Sequence, residues 1–476
     1  MDDVNKSQDK NKANSELRKS TFRGIRWSMI DNFARLGGQF IIGIVLARLL
    51  TPTDFGLVGM LTVFIVVGQS LANSGFGQAL IQKKDATDID YSTVFYFNIF
   101  TSTVLYIIIF FSAPLIADFY DQPQLIPLTK VLCLSIVIES IGRIHLVHLE
   151  KQLNFKSPSL VGVISVLSSG AISIILALNG FGVWSLVALT LIKSFVATIL
   201  LWFFSNWRPM LKFSGAALKK LFSFGSGILA ATLVQSVFRN LYHLVIGRFY
   251  SAQSLGYYTK AAQFRELPVN AITMVVQKVT FPVFSKIQDD DKRLISGYTK
   301  AIRMLAGIVL PVMVLIFAAA QPFILLVLGA KWLPVVPYLK VMALYGWLKV
   351  IFTINNQVIT VKGKSNYYLQ IQIIDRALIM ISIFLTYKYG IMTMIYGHMA
   401  STILTFLVVS VYLNRVFPVT LFRQIKELLP FLFAALVMLF STILMSLYIK
   451  GTIIYFVSSV LISSFVYIFL LWILKV

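Results

Sequence analysis

Residues 45–56 read VLARLLTPTDFG, and two hundred positions later residues 245–256 read VIGRFYSAQSLG. Each stretch is an apolar run that closes on an arginine, Arg48 or Arg248, and reaches a glycine, Gly56 or Gly256, eight positions on. A cation in the last turn of a helix complements the helix dipole, so each stretch predicts a helix end followed by a turn, with Pro52 or Gly56 turning the chain. The same punctuation at a fixed offset points to a repeated unit.

Working outward, 58% of the 476 residues are hydrophobic and only 13% are charged, far outside the range of a soluble domain. The chain reads as an all-α polytopic membrane protein. A single cysteine, Cys133, excludes a disulfide framework and any multi-thiolate metal site. The first twenty residues are rich in Lys, Asp, Asn and Ser and hold no apolar run, so they predict a solvated tail and not a signal peptide.

Apolar segments of about 20 residues, the length that crosses a bilayer, fall near 27–48, 57–80, 93–117, 128–150, 159–178, 183–203, 223–247, 257–280, 302–322, 336–361, 367–387, 391–413, 428–448 and 452–474. About fourteen transmembrane helices are therefore expected. With the tail in the cytoplasm, inside segments hold 27 Lys and Arg and outside loops hold 5, which predicts both termini in the cytoplasm. Much of the formal charge of +23 is thus topological, and no basic-aromatic module suggests nucleic acid.

An even number of crossings separates spans one and seven, so the two run in the same direction. The 200-residue echo then predicts parallel six-helix repeats. The expected organisation is a basic tail at 1–22, an N-terminal six-helix lobe at 23–213, a C-terminal six-helix lobe at 214–420, and two further helices in 421–476. Polar residues support the repeat. Ser28, Asn32, Arg35 and Gln39 lie on one helical face of span one, and Thr232, Gln235, Arg239 and His243 on one face of span seven.

Ten basic residues fall within or at the ends of spans: Arg35, Lys130, Lys193, Arg239, Lys260, Arg265, Lys278, Lys340, Lys349 and Arg376. The comparably placed acids are Asp31, Glu139, Glu266 and Asp375. A base at bilayer centre costs about 2.5–3.5 kcal/mol, so ten cannot all face lipid. Lys130, Lys278 and Lys340 are near span ends and can snorkel. Asp31 and Arg35 are an i,i+4 pair, whereas Arg265 with Glu266 and Arg376 with Asp375 are sequence neighbours, which do not face each other on a helix.

The remaining surplus requires water or an anionic guest. A cavity lined by Arg35 and Arg239, with Lys193, Lys260, Arg265, Lys349 and Arg376 as further cations and Asn32, Gln39 and Gln235 as polar neighbours, suits a phosphate-bearing substrate. Arg in particular binds phosphate bidentately and stays charged in a poor dielectric. Gln69, Asn73, Asn270, Gln277, Asn355, Asn356 and Gln357 fit either sugar hydroxyls or interhelical bonds. Pro268 and Pro311 fall inside spans as candidate kinks, and Pro334 and Pro337 at the start of one. His145 and His148 read as interfacial and not as metal ligands, since no third ligand is near. No phosphate-binding loop and no catalytic constellation is legible, so the chain does not read as an enzyme.

The segment VLARLLTPTDFGLVGM, the stretch NSGFGQALIQ at 73–82 and the fourteen spans in two lobes resemble the polysaccharide transporter branch of the multidrug/oligosaccharidyl-lipid/polysaccharide flippase superfamily, in particular Wzx-like lipopolysaccharide and exopolysaccharide flippases. The resemblance covers nearly the whole chain. It implies movement of an undecaprenyl-pyrophosphate-linked oligosaccharide from the cytoplasmic to the periplasmic leaflet of a bacterial inner membrane by alternating access. It also implies coupling to a proton or sodium gradient, with Asp31, Glu139, Glu266 and Asp375 as candidates. No other cofactor is expected. A glycan polymerase or glycosyltransferase of the same pathway is the expected protein partner.

Three rivals remain. A lipid II flippase shares the architecture and an anionic lipid-linked substrate. A cation/drug antiporter fits poorly where intramembrane bases outnumber acids. A membrane glycan polymerase or transferase would be expected to carry catalytic residues in a sizeable loop, and the longest loop here is about twenty residues.

Overall fold

The computed structural model describes residues 35–73, 75–449 and 451–474. The tail at 1–22, Ser28 and Asn32 of the first stripe, and the coupling candidate Asp31 lie outside the described residues. Among the described residues the chain is helical throughout, with no strand. Twelve helices are long and apolar enough to cross a membrane, or up to thirteen with one bent pair, and the first expected span is described only from residue 35.

The chain divides into two compact units, Met1–Leu255 and Gly256–Val476. The first holds α1 (35–49), α2 (Pro52–Asn73), α3 (Phe76–Gln82), α4 (Asp88–Tyr120), α5 (Leu125–Leu132), α6 (Leu134–Lys151), α7 (Lys156–Leu178), α8 (Val183–Phe204), α9 (Gly215–Arg239) and α10 (Leu241–Phe249). The second begins within the first turn of α11 (Ala252–Lys286). It continues with α12 (Asp291–Ala318), α13 (Ala320–Val327), α14 (Val335–Gly346), α15 (Leu348–Val361), α16 (Ser365–Thr386), α17 (Ile391–Val416), α18 (Leu421–Tyr448) and α19 (Thr452–Ile473). The boundary falls after α9 and α10, whereas the sequence repeat is counted from 214. The packing explains the offset, because α9 lies against α2, α3 and α4, and α10 against α2.

The repeated punctuation has a local cause. Arg48 and Arg248 both stand in the last turn of a helix, α1 and α10. Each is followed by a cap for the next helix. Thr51 donates its backbone N–H and its hydroxyl to Asp54 Oδ2 at 2.8 and 2.7 Å, and the Asp54 N–H returns to Thr51 Oγ1 at 3.3 Å. Ser251 Oγ accepts from the Ser254 N–H at 3.1 Å. A hydroxyl followed three positions later by a reciprocating polar group satisfies N–H groups that have no partner inside the helix. Pro52 opens α2, where its missing N–H costs nothing.

Gly56 does not turn the chain, contrary to the expectation, because it lies inside α2. Its role is close approach. A Cβ on Gly56 would fall 1.7 Å from the Ala252 carbonyl oxygen, so the first turns of α2 and α11 touch backbone to backbone.

Other elements answer to the same capping logic. Thr87 and Asp90 form a capping box at the start of α4, and Asp90 Oδ2 also accepts from Lys83 Nζ at 2.6 Å. Pro268 and Pro311 each sit inside a continuous helix, α11 and α12. The sharp bend lies elsewhere, a 55° break between Gly215–Ser223 and Gly225–Phe249 in a glycine- and serine-rich stretch. Two helices are unusually long, α4 at 33 residues and α11 at 35.

Hydroxyl pairs between helices join each unit internally: Ser102 with Ser140 at 2.8 Å, Ser70 with Ser236 at 3.0 Å, and Thr442 with Ser463 at 2.7 Å. Such bonds contribute about 0.6–2 kcal/mol each in a membrane. The same role falls to Asn355, which accepts from Tyr298 at 2.7 Å and donates to Gln424 at 2.9 Å, and to Gln357, which accepts from Thr280. Asn270 and Gln277 remain exposed on α11.

His145 is fully buried against Trp202 and Trp207, with ring centroids 4.4 and 5.2 Å away, because α6 turns this residue into the aromatic core of the first unit. No cluster of three metal-ligating side chains occurs among the described residues.

Candidate functional site

In the first unit the charged residues gather around Glu139 of α6. Its carboxylate accepts from Gln69 Nε2 of α2 at 2.8 Å and from Ser194 Oγ of α8 at 2.7 Å. Lys193 and Arg143 act on it electrostatically, and Lys193 is in turn within reach of Arg35. Arg143 also faces Glu150. Among the described residues the cluster is thus three bases and two acids.

One face of α8 holds this geometry. At steps of four residues, Ser194 reaches Glu139, Thr198 donates to the Ile138 carbonyl at 2.9 Å, and Trp202 donates through Nε1 to the Ile141 carbonyl at 3.1 Å. Gly142 allows the approach, since a Cβ there would meet Thr198 Oγ1 at 3.0 Å and Thr198 Cα at 3.2 Å. The carboxylate is therefore held by two neutral donors on two rigid helices. Its own face stays exposed.

Gln235 and Arg239 lie on α9 and are exposed together with Thr232. An adjoining face of that helix is packed, with Ser236 on Ser70 and Asn240 Nδ2 donating to the Ser236 carbonyl at 2.8 Å, while Val234 and Val237 are exposed as well. The predicted stripe thus borders the packed face of α9, on a helix whose residues are mostly exposed around it. Arg35 and Gln39 on α1 are half-buried.

The second unit has its own cluster. Arg265 of α11, 8% exposed, donates to the Tyr345 hydroxyl at 3.0 Å and to Glu266 Oε1 at 2.9 Å. The Tyr345 hydroxyl also meets His398 Nδ1 of α17 at 3.2 Å. Asp375 of α16 accepts from Arg376 at 2.9 Å and from Thr405 of α17 at 3.0 Å, and Lys349 of α15 acts on both Asp375 and His398. Here too three bases, Arg265, Lys349 and Arg376, stand against two acids. Lys260 is buried apart from this group, with Gln263 Oε1 at 3.3 Å and the Trp332 ring centroid at 5.9 Å.

The expectation that neighbouring residues do not meet is overturned twice, at Arg265–Glu266 and Arg376–Asp375. The long arginine arm wraps around the helix, and in a poor dielectric the adjacent carboxylate outcompetes more distant partners. Of the snorkelling candidates, Lys130 lies 4.7 Å over the Phe110 ring and Lys340 lies 5.7 Å over the Phe317 ring. Ser194, Tyr345, His398 and Thr405 were not singled out by the sequence pattern. A polar side chain on an otherwise apolar helical face is the only signal each offers.

Residues 45–337 match the family described as polysaccharide biosynthesis protein. The chain is 31% identical over 353 residues to the teichuronic acid biosynthesis protein TuaB of Bacillus subtilis, a match that covers 74% of this chain and 73% of the relative. It is 28% identical over 337 residues to the lipopolysaccharide biosynthesis protein WzxC of Escherichia coli, covering 70% and 68%. Its fold is similar to that of the lipid II flippase MurJ in an inward closed conformation, with a TM-score of 0.77 over 94% of this chain and 98% of that one at 18% identity.

Proposed function

The chain belongs to the polysaccharide biosynthesis protein family, a multi-pass membrane protein with the fold described above, and we propose that it is a flippase for undecaprenyl-pyrophosphate-linked oligosaccharides. In this reading it moves them from the cytoplasmic to the periplasmic leaflet of a bacterial inner membrane by alternating access through a cationic central cavity. Its termini are cytoplasmic in this reading, which the distribution of Lys and Arg supports. Arg35, Arg239, Lys193, Lys260, Arg265, Lys349 and Arg376, with Gln39 and Gln235 beside them, guide the pyrophosphate. Asn32, outside the described residues, completes the first stripe.

The observation that carries this reading is the excess of base over acid among the described residues, three against two in each cluster, with Arg239 and Gln235 left uncovered on α9. Bases held at membrane depth without a full set of acids mark a path for an anion. The relatives that act in teichuronic acid and lipopolysaccharide biosynthesis, and the neighbour that flips lipid II, support a saccharide on a polyprenyl diphosphate as the cargo. Pathway glycosyltransferases or a polymerase supply and consume it.

The test is leaflet accessibility of a purified lipid-linked oligosaccharide in proteoliposomes. The intact chain is expected to transfer it without changing the glycan, and Arg35→Ala/Arg239→Ala at matched reconstitution is expected to abolish transfer. Transfer by the double variant at the rate of the intact chain refutes the site. A chemically altered glycan refutes the function. Rescue of a strain that lacks its lipid II flippase would reassign the substrate.

A further inference from the structure

The acids available for coupling are not equivalent. Glu266 and Asp375 each bind an arginine directly, at 2.9 Å in both cases. Glu139 has no ion pair within 4.0 Å among the described residues, and its two oxygens are held by an amide and a hydroxyl. Among the described residues, charged groups act on it from two sides, Lys193 on α8 and Arg143 on α6 itself. From the other packed elements, α2 presents the neutral Gln69 and α4 presents Ser102, which is bonded to Ser140. Lys130 of α5 is engaged with the Phe110 ring.

Resting on the flippase reading, we infer that Glu139 takes up a proton when a diphosphate occupies the Arg35, Arg143 and Lys193 cations, so that binding of the anion by the first unit is linked to binding of a proton. In the empty site the carboxylate is the counter-anion of Lys193 and Arg143. A diphosphate brings at least two negative charges to the same cations, and a carboxylate beside them repels it. Neutralising Glu139 removes that repulsion.

The local geometry accepts both forms. As the carboxylate, Glu139 accepts at Oε2 from Gln69 and at Oε1 from Ser194. As the acid, it places the proton on Oε1 and donates to Ser194 Oγ, since a hydroxyl can turn from donor to acceptor while an amide N–H cannot. Oε2 continues to accept from Gln69. The proton comes from water, no bond between heavy atoms changes, and no backbone movement is needed.

The experiment is calorimetric titration of the full chain in detergent with inorganic pyrophosphate, in two buffers of different ionisation enthalpy, which counts protons taken up per anion bound. Comparison with Glu139→Gln cancels the protonation of the pyrophosphate itself. The intact chain is expected to take up more protons than Glu139→Gln, by up to one per diphosphate. Glu139→Gln is expected to bind about tenfold more tightly at pH 8, from removal of one nearby charge. Ser194→Ala, which keeps the carboxylate and removes the acceptor for its O–H, is expected to reduce the uptake while the protein stays monodisperse. Equal uptake by the intact chain and Glu139→Gln, with binding preserved, overturns the inference and leaves the flippase untouched. Failure of both proteins to bind pyrophosphate overturns the assignment of this cluster as the diphosphate site, and the inference with it.

Discussion

Replacing Gly56 with alanine adds one carbon and two hydrogens, yet it should be among the most disruptive small changes in the first unit. The new Cβ would fall 1.7 Å from the Ala252 carbonyl oxygen, 2.4 Å from its carbon and 3.0 Å from its Cα, against 3.4 Å for ordinary contact. Every obstructing atom is backbone, so no rotamer change relieves the overlap. The starts of α2 and α11 must move apart by about 1.7 Å, and both capped turns move with them. Overpacking costs about 1–3 kcal/mol where side chains can adjust, which places this site at about 3 kcal/mol. For a unit of this size that is a drop of roughly 6–12 °C in the unfolding midpoint. The assay is thermal unfolding in detergent followed by tryptophan fluorescence, with Gly215→Ala as the control, because nothing lies within 4 Å of a Cβ there. The control should be neutral or slightly stabilising, since alanine restricts the unfolded chain. Equal midpoints for the two variants would refute the close approach of α2 and α11.

Two further outcomes follow from the polar contacts. Arg376→Met should destabilise the second unit by about 2 kcal/mol because Asp375 loses its bonded arginine, and Arg376→Met/Asp375→Asn should recover most of that loss while keeping an acceptor for Thr405, as read by thermal unfolding of both variants. Asp90→Asn should cost about 1–3 kcal/mol and raise hydrogen exchange at the first turn of α4, because one carboxylate oxygen there serves the Thr87 N–H, the Thr87 hydroxyl and Lys83. Unchanged exchange would remove Asp90 from the cap.

The spans were legible because a bilayer demands long apolar runs. The repeated turn was legible because a helix end and a helix start each need particular side chains, as Arg48, Thr51, Pro52 and Asp54 illustrate. Gln235 and Arg239 share a helical face by period, but period alone does not mark that face as open, since Val234 and Val237 on other faces of α9 are exposed too. What escaped depends on distance along the chain. Nothing local says that Ser194 will meet Glu139, 55 residues earlier, or that Tyr345 will bridge Arg265 and His398. Gly56 escaped for a related reason, because the atom that excludes a side chain there belongs to residue 252. The arginine pairs with Glu266 and Asp375 escaped because helical periodicity describes where side chains start and not how far a guanidinium travels.

The lengths of α4 and α11 bear on how the protein meets its surroundings. At 1.5 Å per residue, 33 residues reach about 50 Å, while the hydrocarbon layer is about 30 Å thick. Tilting alone would have to reach about 53° to hide such a rod, beyond the 0–40° that membrane helices adopt. Neighbours such as α7 and α8, at 23 and 22 residues, just span the layer. Across those tilts about 10–20 Å of α4 stands in water or among headgroups, and α11 at 35 residues projects slightly further. A chain of long helices joined by short loops thus reaches beyond the lipid on helical posts, and their ends are surfaces it offers to the aqueous side.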